Sequence, residues 1–151
     1  KYMGEIKIKE TCNNKNVNLA IIRLPGVVGK NMPNIFFRRI YESIINSAII
    51  SIRSRDSFFN NAILDRDVFL TSVNLYEKQK DKFVLLNHHS KDTITLGRLL
   101  DDFTEIIGKP CIYQETTSCN PPFQITNTWH DDLLCTSNIQ NMIKHFHSTY
   151  E

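Results

Sequence analysis

Residues 18–29 read Asn-Leu-Ala-Ile-Ile-Arg-Leu-Pro-Gly-Val-Val-Gly, and this stretch decides the fold. Its first half, Leu19 to Ile22, is a continuous β-branched and aliphatic run bounded by polar residues, which predicts a strand buried on both faces of a parallel sheet. The run then stops. Pro25 cannot donate to a sheet ladder and Gly26 permits backbone angles closed to other residues, so the chain leaves the sheet beyond the carboxyl end of a strand, where α/β folds bind ligands. Arg23 to Gly29 is therefore the leading site candidate.

Upstream, Tyr2, Met3 and Ile6 against Lys7 and Glu10 predict the end of an amphipathic helix, closed by the Asn13 to Asn16 cluster. Downstream, the spacing predicts a helix opened by Asn34, with Ile35, Phe36, Ile40, Tyr41, Ile44 and Ile45 as its apolar face. A short strand follows over 48–52. After the charged loop 53–57 and the pair Phe58-Phe59, Asp65 or Asp67 is expected to cap a helix using Phe69, Val73 and Tyr76. Lys82 to Leu86 reads as another strand. The clearest helix has Thr95 as cap, Leu96, Leu99, Leu100, Phe103, Ile106 and Ile107 at helical spacing, and Gly108 and Pro110 as its stop. Short strands are expected over 111–115 and 123–129, and Ser137 caps a last helix with Ile139, Met142, Ile143 and Phe146 on one side.

At 151 residues and 41% hydrophobic, the chain is long enough for one domain with a sizeable core. Eighteen basic against sixteen acidic residues give a net charge of +2, which suggests neither a nucleic-acid nor an anionic-membrane partner. No apolar run approaches the roughly 20 residues that span a bilayer, and no secretory leader is visible, so we expect a soluble, cytoplasmic protein. Cys12, Cys111, Cys119 and Cys135 lack CxxC or Cys/His spacing and read as reduced thiols rather than disulfides or a zinc site. The chain begins with lysine, and we expect it to be a piece of a longer polypeptide.

The order of motifs carries a resemblance. Lys1 to Glu5 opening a helix, a strand ending Arg-Leu-Pro-Gly-Val-Val-Gly, the segment from Phe58 to Asp67, and Asn87 followed by Thr95-Leu-x-x-Leu-Leu together resemble the extended short-chain dehydrogenase/reductase family. More narrowly, they resemble the C-terminal half of an NAD-dependent epimerase/dehydratase acting on nucleotide-sugars. The resemblance implies an α/β fold: the C-terminal part of a Rossmann-like parallel sheet plus a small α+β substrate-binding domain. Residues 1–29 would end the dinucleotide-binding domain, and 30–151 would form mainly the substrate-binding domain, with some segments returning to the sheet. The glycine-rich phosphate loop would lie upstream.

The same resemblance implies roles by position. Lys1 sits where the lysine of a catalytic Tyr-x-x-x-Lys pair would stand, lowering the tyrosine's pKa and bonding the ribose of NAD or NADP. Pro25 falls where the chain passes the nicotinamide ring. Gly26 stands where many members have an asparagine that reaches the substrate diphosphate, so a bare N–H replaces a side-chain donor. Asn34 and Ile35 begin the helix that contacts the nucleotide, whose N-terminus suits a diphosphate. Ser51, Ile52 and Arg53 would wall the base pocket. Asn60 lies where many members carry a diphosphate-binding arginine, and Arg53 or Arg55 would supply that charge.

Plainer explanations stand beside each of these: a frayed terminal lysine, a simple Pro-Gly turn, helix capping by Asn34, a solvated loop arginine. His88-His89 is not read as a metal site, since adjacent strand residues point to opposite faces, and the His130-Asp131-Asp132 cluster reads as a solvated turn. His145 and His147 suit a helix C-terminus. Two functions follow: the substrate-binding portion of an NAD(P)-dependent nucleotide-sugar epimerase, dehydratase or reductase, inactive without its upstream half and expected to form a homodimer as the family commonly does, or a non-catalytic relative that works as a sensor or interaction subunit.

Overall fold

A computed structural model describes residues 2–33, 35–116, 124–126 and 133–150. Chain order is α1 (Tyr2–Asn14), β1 (Leu19–Arg23), β2 (Gly26–Val28), α2 (Phe36–Ile45), β3 (Ile50–Ile52), β4 (Phe58–Phe59), β5 (Ala62–Leu64), α3 (Asp65–Lys78), β6 (Phe83–Asn87), β7 (Ile94–Thr95), α4 (Leu96–Ile107), β8 (Tyr113–Glu115) and α5 (Ile139–Tyr150).

The aliphatic run forms β1 as expected, and its neighbour is parallel: Leu19 faces Phe83, and the register continues to Arg23 opposite Asn87. His88 N–H donates to Arg23 O at 2.9 Å, extending the ladder past the end of β6. Burial on both faces is not found. Leu19, Ile21 and Ile22 are half-buried while Ala20 and Arg23 are exposed, because among the described residues β1 has β6 as its one strand neighbour. Two further short pairs are parallel, β2 with β5 and β3 with β8, and β4 pairs antiparallel with β7. Across Leu24 and Pro25, β1 leads into β2.

The main core lies between α2, α4 and α5 and the inner faces of β2, β3 and β5. Its fully buried side chains include Phe37, Ile40, Ile44, Leu99, Leu100, Phe103, Ile139, Met142, Ile143 and Phe146, with Val28, Ile52, Ala62 and Leu64 from the strands. A smaller cluster of Leu75, Val84, Leu86 and Leu133 joins α3 to β6. The last helix buries the four residues that its spacing assigns to the inward side. Helix α4 also matches its sequence signals: Thr95 Oγ1 accepts the Arg98 N–H at 3.1 Å, and Gly108 closes the helix at φ 72°, a left-handed conformation that glycine adopts without a Cβ penalty.

Several expectations are corrected. Helix α1 runs on to Asn14, with Asn16 taking φ 54° just after it, and none of its residues is buried, so Tyr2 and Met3 do not form a covered face. Helix α2 starts after Ile35, which makes no side-chain cap, and buries Phe37 where Phe36 was expected; Ile45 is exposed. The third strand is shorter than 48–52, and Ile49 points to solvent. Of the strand expected over 123–129, residues 124–126 are described and are not strand; Asn34, Cys119, Trp129 and the His130 cluster lie outside the described residues.

The largest correction concerns α3. Phe69 and Tyr76, expected inward, are 67% and 93% exposed, whereas Asp67, Thr71 and Leu75 form the buried stripe. Two polar residues are tolerated there because the chain before α5 satisfies them: Ser137 N–H donates to Asp67 Oδ2 and Cys135 N–H to Thr71 Oγ1, both at 2.9 Å. Asp67 is thereby a tether rather than a cap. Capping of α5 passes to Asn138, whose Oδ1 accepts the Asn141 N–H at 2.8 Å, because Ser137 is held to α3.

Buried His88 joins this polar seam, its Nε2 lying 2.9 Å from Thr71 Oγ1. Burial lowers its pKa from the ordinary value, partly offset by main-chain groups of His89 and Asp67 and the Asp67 charge, while neighbouring His89 pushes the same way as burial. Folded His88 is thus neutral where an unfolded histidine would take a proton, so stability should fall as pH drops below about 6.5, by at most roughly 1.4 kcal/mol per pH unit. Chemical denaturation at a series of pH values should show that acid slope in the wild type and a shallower one in His88→Gln; equal slopes would remove His88 as its source.

Candidate functional site at the junction of two cavities

Two cavities meet beyond the strand ends. The first, about 460 Å³, is bordered by Gly26 of β2, Ile35 and Phe36 at the start of α2, Arg39 one turn further, Arg53 after β3, Phe58 and Phe59 of β4, Asn61, and Leu96 of α4. Helical spacing places Ile35 and Arg39 on the same side of α2. Phe36 and Phe59 rings stand 6.0 Å apart, and the Arg39 guanidinium lies 5.7 Å from the Phe36 ring centre. Four phenylalanines, Phe37 being the fourth, and two arginines make a place for a flat ring joined to an anion.

The second cavity, about 380 Å³, opens at the carboxyl ends of β1 and β6, between Arg23, Leu24, Pro25, Asn61, Asn87, His88 and residues 124–126. Arg23 is fixed there by Glu5 of α1: Nε donates to Oε1 at 3.1 Å and Nη2 to Oε2 at 2.7 Å. The pair is solvent-accessible and serves chiefly to orient Arg23. Asn87 Nδ2 donates to Thr126 O at 3.3 Å, drawing the far rim inward.

The structure brings together four of the sequence candidates. Gly26, Ile35 and Arg53 border the first cavity and Pro25 the second. Lys1 and Asn34 lie outside the described residues. Ser51 is exposed on β3, accepting Gln114 Nε2–H at 2.8 Å, and Ile52 is buried in the main core, so neither borders the cavities. Asn60 is buried and clamps the opposite rim: its Nδ2 donates to Ile125 O at 2.7 Å and its Oδ1 accepts Ile125 N–H at 3.1 Å.

Of the two arginines considered for the anionic group, Arg55 is committed elsewhere. Its Nη1 donates to Tyr113 Oη at 3.2 Å and its Nη2 to Asp101 at 2.8 Å, partners that raise its pKa still further. Arg53 borders the cavity, and Arg39, which sequence reading passed over, joins it. Asn61 was missed as well. The signal for Arg39 was its position one turn after Ile35; for Asn61 it was the alternation that turns neighbouring residues of an extended chain to opposite sides. Among the described residues no group of three His, Cys, Asp or Glu side chains is placed to hold a metal.

No protein-family model and no curated protein matches the sequence. Solved structures do. The fold resembles that of UDP-sugar 4-epimerases. A UDP-glucuronic acid 4-epimerase from Bacillus cereus, solved with UDP-glucuronic acid and NAD, superposes with a TM-score of 0.76 at 18% identity over 99% of this chain and 50% of its own. A UDP-N-acetylglucosamine 4-epimerase from Methanobrevibacter ruminantium, solved with UDP-N-acetylmuramic acid, gives 0.74 at 11% identity over 97% and 50%. The UDP-glucose 4-epimerase of Thermotoga maritima, with UDP-glucose, gives 0.72 at 15% identity over 100% and 53%. This chain spans about half the length of each epimerase. The epimerase-like fold agrees with the α/β architecture expected from the sequence, and its strand-end cavities lie where such sheets hold ligands. Among the described residues, no helix is long and apolar enough to cross a membrane.

Proposed function

We propose that this chain is the substrate-binding portion of an NAD(P)-dependent nucleotide-sugar epimerase, dehydratase or reductase. The observation that carries the reading is the first cavity, where Phe36, Phe58 and Phe59 offer faces for a base and Arg39 and Arg53 offer charge for a diphosphate. Its size falls within the range usual for small-molecule sites. The sugar then points through Asn61 toward the second cavity, between Pro25 and Asn87. Asn60 supports the far wall through its two hydrogen bonds to Ile125.

NAD accompanies the substrate in the Bacillus cereus structure. The second cavity fits the nicotinamide end: Leu24 and Pro25 give an apolar border and the strand ends give main-chain acceptors. When bound, the cofactor supplies hydride acceptance. This chain's part is to orient the sugar against it and exclude water, and Lys1 is assigned by the family resemblance to partner a catalytic tyrosine. A non-catalytic sensor is the second reading, favoured by Asn60, whose amide is fully engaged with Ile125 and unavailable to a ligand.

Calorimetric titration tests the reading. The chain should bind UDP and UDP-glucose with dissociation constants below about 1 mM, and NAD far more weakly. No UDP binding at millimolar concentration, or tight NAD binding, would overturn it. Turnover of a UDP-sugar after the upstream sequence is restored separates the enzyme from the sensor.

A further inference from the structure

One amide at the meeting of the cavities is held in place yet has no partner among the described residues. Asn61 borders both spaces. Its main chain is fixed from either side, since Asn60 O accepts Ser90 N–H at 3.1 Å and Ala62 pairs with Gly26 in the β2–β5 ladder. The neighbouring Asn60 amide uses both polar atoms on Ile125, whereas the Asn61 amide makes no hydrogen bond to any described residue. A Cβ on Gly26 would come 3.1 Å from Ile35 Cδ1 and 3.4 Å from the Asn61 main-chain oxygen, so glycine leaves room beside Asn61 on the border of the first cavity.

We propose that Asn61 is a specificity-determining residue, its Nδ2–H donating to a phosphate oxygen of a nucleoside diphosphate derivative that threads from the first cavity into the second. The inference rests on the reading of the first cavity as a nucleotide site and adds the group that recognises the linkage between base and sugar. A neutral amide suits this position because it donates to the phosphate and its Oδ1 remains to accept from a sugar hydroxyl. An aspartate there would repel the same diphosphate.

The prediction is a graded one. Asn61→Ala should leave uridine binding unchanged, weaken UDP about tenfold and weaken UDP-glucose at least as much, as expected for losing a hydrogen bond to a charged group. Asn61→Asp should weaken UDP further, with partial recovery in high salt. Because the side chain has no partner among the described residues, thermal melting should be unchanged in both; Asn61→Ser replaces the alanine variant if that one fails to fold. Titrations of wild type and variants with uridine, UDP and UDP-glucose decide the matter. Equal UDP-glucose affinity in wild type and Asn61→Ala, or a parallel loss for uridine, would overturn the proposal while leaving the nucleotide site standing. A wild type that binds no UDP overturns both.

Discussion

Truncating Phe146 to alanine is expected to lower the unfolding free energy by roughly 3–5 kcal/mol. The ring is 1% exposed in α5 and stands at the centre of the aromatic group that joins three helices. Tyr41 meets it edge-on at 4.9 Å, Tyr150 at 4.5 Å and Phe37 at 6.1 Å, and Phe37 in turn meets Phe103 of α4 at 4.8 Å. Alanine would remove the apolar surface that these neighbours cover and leave a cavity they cannot close, since each is pinned by a further contact. Against a total stability of about 5–15 kcal/mol for a domain of this size, that loss is large enough to depopulate the fold at physiological temperature. Urea denaturation should show a lower midpoint with an unchanged slope. Tyr76→Ala, removing an aromatic ring of which 93% faces solvent, serves as the control and should change stability by less than about 0.5 kcal/mol. A Phe146→Ala loss below about 1 kcal/mol would mean that α5 is not docked as described.

Removing the two cavity arginines should have the largest effect on ligand binding. Each guanidinium hydrogen bond to a phosphate contributes about 1.5–3 kcal/mol, so Arg53→Ala should weaken UDP roughly 10- to 150-fold. Arg39→Ala should cost less, because Arg39 is exposed on α2 and screened by water and salt, whereas Arg53 is half-buried in the loop after β3. Lysine at 53 should restore only part of the loss, since a point charge cannot reproduce the planar fork. Uridine, lacking phosphate, should bind both variants as it binds the wild type. Parallel losses for uridine and UDP would show that the arginines shape the cavity instead of holding an anion.

The elements legible in the sequence are those whose signals are local. Helix α4 carries its own cap at Thr95 and its own stop at Gly108, and α5 declares its inward face by spacing alone. β1 shows its type in a run of aliphatic residues, although not its degree of burial, which depends on what lies against it. Helix α3 defeats the same reading because its buried residues Asp67 and Thr71 owe their tolerance to backbone groups at Ser137 and Cys135, far along the chain. At the site, the break in the strand run drew attention to Pro25 and Gly26, which border the two cavities. The resemblance brought in Ile35 and Arg53, which border the first cavity, and Asn60, whose amide bonds Ile125, whereas its neighbour Asn61 borders both cavities. A one-residue difference in an extended segment decides which side chain borders the cavities and which bonds the opposite rim.

The pairing pattern of the strands also bears on how the chain acquires its shape. Gly26 meets Ala62, Phe58 meets Thr95, Ile50 meets Tyr113 and Leu19 meets Phe83, so each ladder closes a loop that contains at least one whole helix. Without a hairpin among these ladders, nothing in the sheets can zip up from a local seed, and the entropy of loop closure must be met before any ladder is rewarded. During synthesis, β3 must therefore wait for β8 to emerge from the ribosome, leaving Ile50 and Ile52 without their strand partner until α3 and α4 have both been made.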